Sequence, residues 1–219
     1  MEDYKVSNKG SATLFKNPIL EKLTRTNFYV PVILFLVLGI AASAYGYLKM
    51  EITIVSTLLL YLGGVFVFSL VEYLIHRFLF HFEAHTPQQK ELKYKIHGVH
   101  HHFPKDKDRL AMPPVMSLAL ASVFYLIFMI TLGKYGYPFF GGFVSGYSVY
   151  LIIHYAVHRF RQPRNFLKIL WKHHSLHHYR SEDTAFGVSN PMWDYLFGTL
   201  PDRKSIKIED REQLPDYAK

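Results

Sequence analysis

Four apolar runs constrain this chain more than any other feature. Val30 to Leu48 is 19 residues without a charge and ends near the aromatic pair Tyr45 and Tyr47. Ile52 to Ile75 is 24 residues whose only charge is Glu72. Val115 to Leu132 is 18 uncharged residues, and Phe139 to Val157 is 19, polar mainly at Ser145, Ser148 and His154. As a helix rising about 1.5 Å per residue, each run can cross a hydrocarbon core of about 30 Å. Burial of all four inside a soluble protein is the competing reading, but the rest of the chain offers too little polar sequence to cover them. The expectation is an all-α integral membrane protein with spans at 30–48, 52–75, 115–132 and 139–157. None of the runs reads as a cleaved signal peptide, since the first begins at residue 30 with no small-residue cleavage motif after a short core.

The connections predict the topology. Only Lys49, Met50 and Glu51 separate the first two runs, and only Gly133 to Pro138 separate the last two. Both pairs therefore read as helical hairpins, which leaves 1–29, 76–114 and 158–219 together on the opposite side. Those three segments carry 23 of the 25 Lys and Arg residues, and each hairpin loop carries one. Cytoplasmic loops are enriched in Lys and Arg, so both termini and the middle segment are expected in the cytoplasm. The same asymmetry accounts for the formal net charge of +8 without nucleic acid, and it suits anionic lipid headgroups. The domain reading is a cytoplasmic N-terminal segment 1–29, a membrane domain 30–201 and a solvated charged tail 202–219.

The chain has no cysteine and 13 histidines. Disulfides, iron–sulfur clusters, thiolate zinc fingers and cysteine nucleophiles are excluded. The histidines form four clusters: His76 and His81, with His85 beyond; His97, His100 and His101, followed by His102; His154 and His158; and His174, His177 and His178, preceded by His173. Each lies near or beyond the expected cytoplasmic end of a span. On a helix, positions i, i+3 and i+4 share a face, so three of the clusters would point together. His76 and His81 are five apart, roughly 140° round an ideal helix, and need either a helix end between them or two different ions.

Imidazoles with few carboxylates suit iron, zinc or copper rather than magnesium or calcium. Ten donors exceed what one ion takes, so two ions with four or five imidazoles each fit the count. A closed structural zinc site needs only four. A pair of redox-active irons that activates oxygen fits best.

The stretches EYLIHRFLFHFE (72–83), KIHGVHHHFPKDKDRLAMPP (95–114), HYAVHR (154–159) and HHSLHHYRSEDTAFGVSNPMWDYLFGTLP (173–201) resemble the fatty acid hydroxylase/sterol desaturase superfamily of membrane histidine-box oxygenases. The chain looks most like the fatty acid 2-hydroxylases, which act on sphingolipid acyl chains, and the resemblance extends from about residue 50 onward. The element Arg109-Leu110-x-Met112-Pro113-Pro114 separates this branch from sterol and carotenoid relatives. The resemblance implies metal ligands at His76, His81, His97, His100, His101, His154, His158, His174, His177 and His178. It also implies two metal ions (iron for activity, zinc possible in purified protein), O2 as co-substrate, and hydroxylation at C2 of a free or sphingolipid-linked acyl chain. Eukaryotic members carry a cytochrome b5 domain. Residues 1–29 are too short for one and the sequence has no His-Pro-Gly-Gly stretch, so a separate donor of cytochrome b5 or ferredoxin type is expected.

Three further residues are candidates to support the ligands. Glu72 precedes His76 by four, His173 directly precedes the last cluster, and Asp194 lies in Met192-Trp193-Asp194-Tyr195. His85 and His102 read as loop or surface residues. Two other functions compete: another histidine-box oxygenase, such as a carotenoid or sterol hydroxylase or a desaturase, and a metal-binding or transport protein. A transporter places its ligands at mid-span, whereas only His154 falls inside an expected span here.

Overall fold

The computed structural model describes residues 5–201, and the charged tail expected at 202–219 lies outside them. Among the described residues the chain is helical, with no strand. Helices α1 (Pro18–Leu23), α2 (Tyr29–Lys49) and α3 (Ile54–Leu74) come first, and α3 runs on as a π-helical turn over Ile75–Phe80. Helix α4 (Pro87–Lys93) leads through a second π-helical turn, Tyr94–Gly98, into α5 (Val99–His102). Helices α6 (Pro114–Leu132), α7 (Gly136–Arg159), α8 (Lys168–Tyr179) and α9 (Met192–Leu196) complete the set. The four long helices coincide with the four apolar runs to within three residues at each end. Three stretches are long and apolar enough to cross a membrane: Tyr29–Lys49, Ile54–Phe80 and Lys107–Arg159, the last containing both α6 and α7.

The chain divides into two compact units. One comprises residues 17–71 and 108–152, the other the remaining described residues. The first unit holds α1, α2, α6 and most of α3 and α7. Its centre is Phe35, Ala121, Phe128, Phe140, Phe143 and Val144. The ring of Phe128 touches those of Phe139 and Phe143, so α6 and α7 fold back on each other at Gly133–Tyr135, where Gly133 adopts φ +54°. The two short connections are neighbours, since Lys134 Nζ donates to Met50 O at 3.3 Å.

Small residues let these helices touch backbone to backbone. A Cβ on Gly142 would lie 1.8 Å from Tyr61 O, and one on Gly64 would lie 2.0 Å from Phe139 O. Gly39 and Gly141 bring α2 and α7 together in the same way. Close approach through small residues is how helices associate where lipid removes the hydrophobic drive between them. The outward faces match that setting, because Ile33, Val37, Ile40, Leu59, Leu62, Leu126 and Ile130 are all exposed, Ile130 by 83%. An apolar exterior this extensive marks a membrane protein. Arg109, buried, donates to Glu21 Oε1 at 2.7 Å and to Thr24 Oγ1 at 2.9 Å, tying α1 to the segment that enters α6.

The second unit is polar and locally stapled. Thr86 and Gln89 form a reciprocal capping box at the start of α4. Trp171 packs with Val157 and Leu170, and its indole N–H donates to Phe160 O at 2.9 Å. The N-terminal segment lies against this unit through Ser7 N to His102 O at 2.8 Å and Tyr179 OH to Asn8 at 2.7 Å.

The Gly142 contact yields a stability prediction. Gly142→Ala forces α3 and α7 apart and costs about 1–3 kcal/mol, the usual range for overpacking. For a chain of this size that lowers the thermal midpoint by roughly 2–10 °C, measured by scanning fluorimetry in detergent. Gly133→Ala, whose Cβ meets nothing within 4 Å, has only its positive φ against it and is expected to shift the midpoint less.

Candidate metal centre

Ten histidines converge in the second unit as two groups of five. His76, His81, His97, His101 and His177 form the first, and His100, His154, His158, His174 and His178 the second. Within each group every residue offers one ring nitrogen, and these atoms all lie within 4.8 Å of one another. These are the ten residues singled out in the sequence. All are buried except His81, which is partly exposed.

Local winding decides which group each ring joins. His81 N–H donates to His76 O at 3.2 Å, an i→i+5 bond. That π-helical turn brings residues five apart onto one side, so His76 and His81 share a group despite the 140° an ideal helix would put between them. The two His-x-x-His-His boxes behave alike but in opposite senses. His97 and His101, four apart, enter the first group while His100 enters the second. His174 and His178 enter the second group while His177 enters the first. The sequence places each triplet on a common face, whereas the structure splits each across two groups. The second π-helical turn, Tyr94–Gly98, carries His97 into its box.

The donor geometry fits cations. His76 Nε2 lies 3.1 Å from His97 Nε2. In the second group, Nε2–Nε2 separations are 3.0 Å for His100–His154, 3.2 Å for His154–His158 and 2.8 Å for His158–His174. Two imidazoles bound to one ion at about 2.1 Å, roughly 90–110° apart, have nitrogens about 3.0–3.4 Å from each other. Shared protons explain the set poorly. Each Nε2 has one in-plane lobe carrying either a proton or a lone pair, so His154 and His158 cannot each serve two neighbours well. Nε2 of His177, Nδ1 of His100 and His174, and both nitrogens of His81 and His178 have no hydrogen-bond partner among the described residues. A buried polar atom left so costs about 1–3 kcal/mol, and a cation at the focus would relieve it for the nitrogens that converge there, His177 Nε2 among them.

Burial, followed by repulsion from the neighbouring rings, pushes His81 down and holds His97, His100, His101, His174 and His178 well below the ordinary imidazole range. His177 is lowered by burial and by His76, against the opposing hydrogen bond to Thr184. These rings are neutral near pH 7, with lone pairs available for coordination.

The supporting residues differ from expectation in one respect. Glu72 does not hydrogen-bond His76. Its Oε1 accepts from Val188 N at 2.8 Å and Ser189 N at 2.9 Å, and its Oε2 accepts from Ser189 Oγ. His76 Nδ1 donates instead to Phe186 O at 2.5 Å, and His177 Nδ1 to Thr184 O at 2.7 Å. Those two bonds fix the tautomer that leaves Nε2 facing the group. His173 Nε2 donates to Asp194 Oδ2 at 2.9 Å. Burial opposes ionisation of Asp194, but hydrogen bonds from His173 and Thr199 outweigh it and hold the carboxyl below its usual range. His85 is exposed, and His102 Nδ1 pairs with Tyr94 OH at 2.9 Å. Sequence reasoning missed the carbonyls of Thr184 and Phe186, because backbone acceptors carry no side-chain signature. It also missed Glu182, whose Oε1 lies 3.5 Å from His101 Nδ1.

Fold and site together define a helical membrane protein with a buried histidine cage in one of its two units. The fatty acid hydroxylase family matches residues 61–199, and the chain belongs to that family. It is 37% identical over 197 residues to the ceramide very long chain fatty acid hydroxylase scs7 of Schizosaccharomyces pombe, covering 87% of this chain and 55% of that one. It is 33% identical over 198 residues to the dihydroceramide fatty acyl 2-hydroxylase FAH2 of Arabidopsis thaliana, covering 87% and 81%. Identity to the human fatty acid 2-hydroxylase is 38% over 156 residues, covering 68% and 42%. A solved structure described as full-length scs7p, with only its hydroxylase domain visible, superposes with a TM-score of 0.81 at 35% identity, covering 89% of this chain and 74% of that one. The chain spans about half the length of the scs7-type relatives it matches.

The turn that separates the two orienting carbonyls is strained. Ala185, fully buried between Thr184 and Phe186, has φ +60°. A left-handed conformation costs an L-residue about 1–2 kcal/mol. Ala185→Gly is therefore expected to leave the thermal midpoint within about 2 °C, as relief of strain offsets added chain entropy. Ala185→Val, β-branched at a positive φ with no free volume, is expected to lower it by more than about 5 °C in the same measurement.

Proposed function

We propose that this protein is a membrane-bound lipid monooxygenase that hydroxylates C2 of a fatty acyl chain, free or sphingolipid-linked. The observation that carries this reading is the pair of five-imidazole groups in a chain of the fatty acid hydroxylase family. The names of its relatives as ceramide, dihydroceramide and fatty acid 2-hydroxylases support the substrate class. Overall, one C–H bond, O2, two electrons and two protons become C–OH and water. The electrons come from a separate carrier of cytochrome b5 or ferredoxin type.

His76, His81, His97, His101 and His177 would hold one metal ion, and His100, His154, His158, His174 and His178 the other. Iron suits this all-nitrogen donor set for oxygen activation, with zinc able to occupy it in purified protein. Bound there, the pair supplies the redox chemistry that activates O2 toward an unreactive C–H bond. The protein's own residues do the rest. Neutral imidazoles bind, the carbonyls of Thr184 and Phe186 orient two of them, and burial keeps bulk water from the reacting centre. No side chain has to act as a nucleophile.

We read α2, α3, α6 and α7 as four spans in two hairpins, with the histidine unit and both termini cytoplasmic. The distribution of Lys and Arg supports this orientation. It suits the chemistry, since a lipid headgroup at the interface leaves C2, next to the carbonyl, just below it.

Two experiments test these readings. Acyl substrate deuterated at C2 and incubated with reductant under 18O2 is expected to lose one deuterium and gain one 18O, read by mass spectrometry. His100→Ala is expected to reduce product by more than about 100-fold and to lower metal content, since even outer partners of such ligands are worth about 10–100-fold. A double bond, hydroxylation elsewhere, or metal uptake into liposomes without oxidation would overturn the reading. For topology, the absence of cysteine makes single-cysteine reporters direct. An impermeant maleimide outside intact cells is expected to label Lys134→Cys and spare Lys90→Cys, and the reverse pattern would invert the orientation.

A further inference from the structure

The loop carrying Thr184 to Ser189 orients part of the cage and is itself held by two buried carboxylates. We infer that residues 184–189 form a backbone cradle serving the first histidine group, and that Asp194 and Glu72 are positioning residues that fix it. The inference deepens the reading of these imidazoles as metal ligands and rests on it for its effect on metal.

Four consecutive backbone amides of this loop point at carboxylates. Asp194 Oδ1 accepts from Phe186 N and Asp194 Oδ2 from Gly187 N, both at 2.8 Å. Glu72 accepts from Val188 N and Ser189 N. With those four N–H groups pinned on one side, the positive φ of Ala185 aims the flanking carbonyls of Thr184 and Phe186 at His177 and His76. Both of those histidines belong to the first group. Asp194 is braced in turn. Thr199 Oγ1 donates to Asp194 Oδ1 at 2.7 Å and lies 3.0 Å from Tyr73 OH, which accepts from Arg77 Nη1 at 2.9 Å. His173 supplies the remaining contact, to Oδ2.

The two carboxyl groups are wired differently, which separates positioning from mere conversion of an acid to an amide. Both oxygens of Asp194 receive a backbone N–H. An Asn there has one oxygen and one NH2, so either orientation leaves Phe186 N–H or Gly187 N–H facing another donor. Glu72 receives both of its backbone amides on Oε1, and among the described residues its Oε2 hydrogen-bonds only the Ser189 hydroxyl. A Gln can keep both amides on its oxygen and donate its NH2 to that hydroxyl, which accepts as readily as it donates. Asp194→Asn should therefore disrupt the cradle and Glu72→Gln should preserve it, although each replaces a carboxyl group with its isosteric amide.

The test combines two measurements on the full chain in detergent. Co2+ titration of metal-stripped protein, followed by visible absorption and metal analysis, is expected to fill two sites in the wild type. His81→Ala identifies the first. Asp194→Asn and Glu72→Ala are expected to weaken that site by about 10–100-fold with the second unchanged, so the second site reports an intact fold. Glu72→Gln is expected to stay within about threefold of wild type. Hydrogen exchange of the peptide covering 184–191 should rise by at least about tenfold in Asp194→Asn but not in Glu72→Gln, whether or not metal is bound. Equal weakening of both sites, no weakening in Asp194→Asn, or the same loss in both isosteric variants would overturn the inference. Wild-type protein that takes up no cobalt would instead sink the metal reading, and the exchange measurement would still decide the fate of the cradle.

Discussion

The rest of the structure follows from crowding ten imidazoles, nine of them buried, into two sets of converging nitrogens. Away from water, every unmet nitrogen and every protonated ring is costly. A cation at each focus would engage the converging lone pairs and favour the neutral rings, which would tie folding of this unit to metal binding. The exchange between the two His-x-x-His-His boxes makes the coupling tighter. Each box gives a pair four apart to one group and a single ring to the other. Both groups therefore depend on the placement of α5 and of α8, while each adds rings of its own from other elements, His76, His81 and His97 in the first and His154 and His158 in the second.

The apolar unit solves the opposite problem. Many of its aliphatic side chains point outward, and its helices also meet through Gly39, Gly64, Gly141 and Gly142. Lipid provides no hydrophobic drive for such contacts, so close packing and a few polar bonds must supply it. Ser148 Oγ donates to Val32 O at 3.1 Å, and the Arg109–Glu21 pair ties α1 to the segment that enters α6. The Arg109-Leu110-x-Met112-Pro113-Pro114 element thus has a visible structural part: Arg109 anchors α1, Leu110 and Ala111 are buried, and Pro114 opens α6.

What could be read from the sequence depended on which interactions side-chain identity encodes. The four long helices were legible because apolar runs of 18 residues or more leave few alternatives in either lipid or water. The ten histidines were legible because imidazole at helical spacing is uncommon and chemically specific. Their partition was not, since it depends on a π-helical turn at Ile75–Phe80 and on the relative rotation of α5 and α8, neither of which leaves a compositional trace. The partner of Glu72 was misassigned for a related reason. The helical rule of four correctly placed it near His76, but the nearest unmet donors were amides of a loop more than 110 residues away in sequence.

The two groups are therefore alike in ligand type and unlike in support. In the first, His76 and His177 are each held by a main-chain carbonyl from a loop whose amides are clamped by carboxylates. In the second, Nδ1 of His100 and His174 and both nitrogens of His178 have no partner among the described residues, and their rings pack against one another. A carbonyl-oriented imidazole is stiffer and more basic than one positioned only by packing. Both nitrogens of His81, in the first group, likewise have no partner among the described residues, so the carbonyl support belongs to His76 and His177 in particular. Along the second group lies a small enclosed space lined by Lys105, Val157, His158, His174, Ser175, His178 and Tyr179. Disturbing the loop over 184–189 would therefore reach His76 and His177 directly and the second group only through the shared boxes.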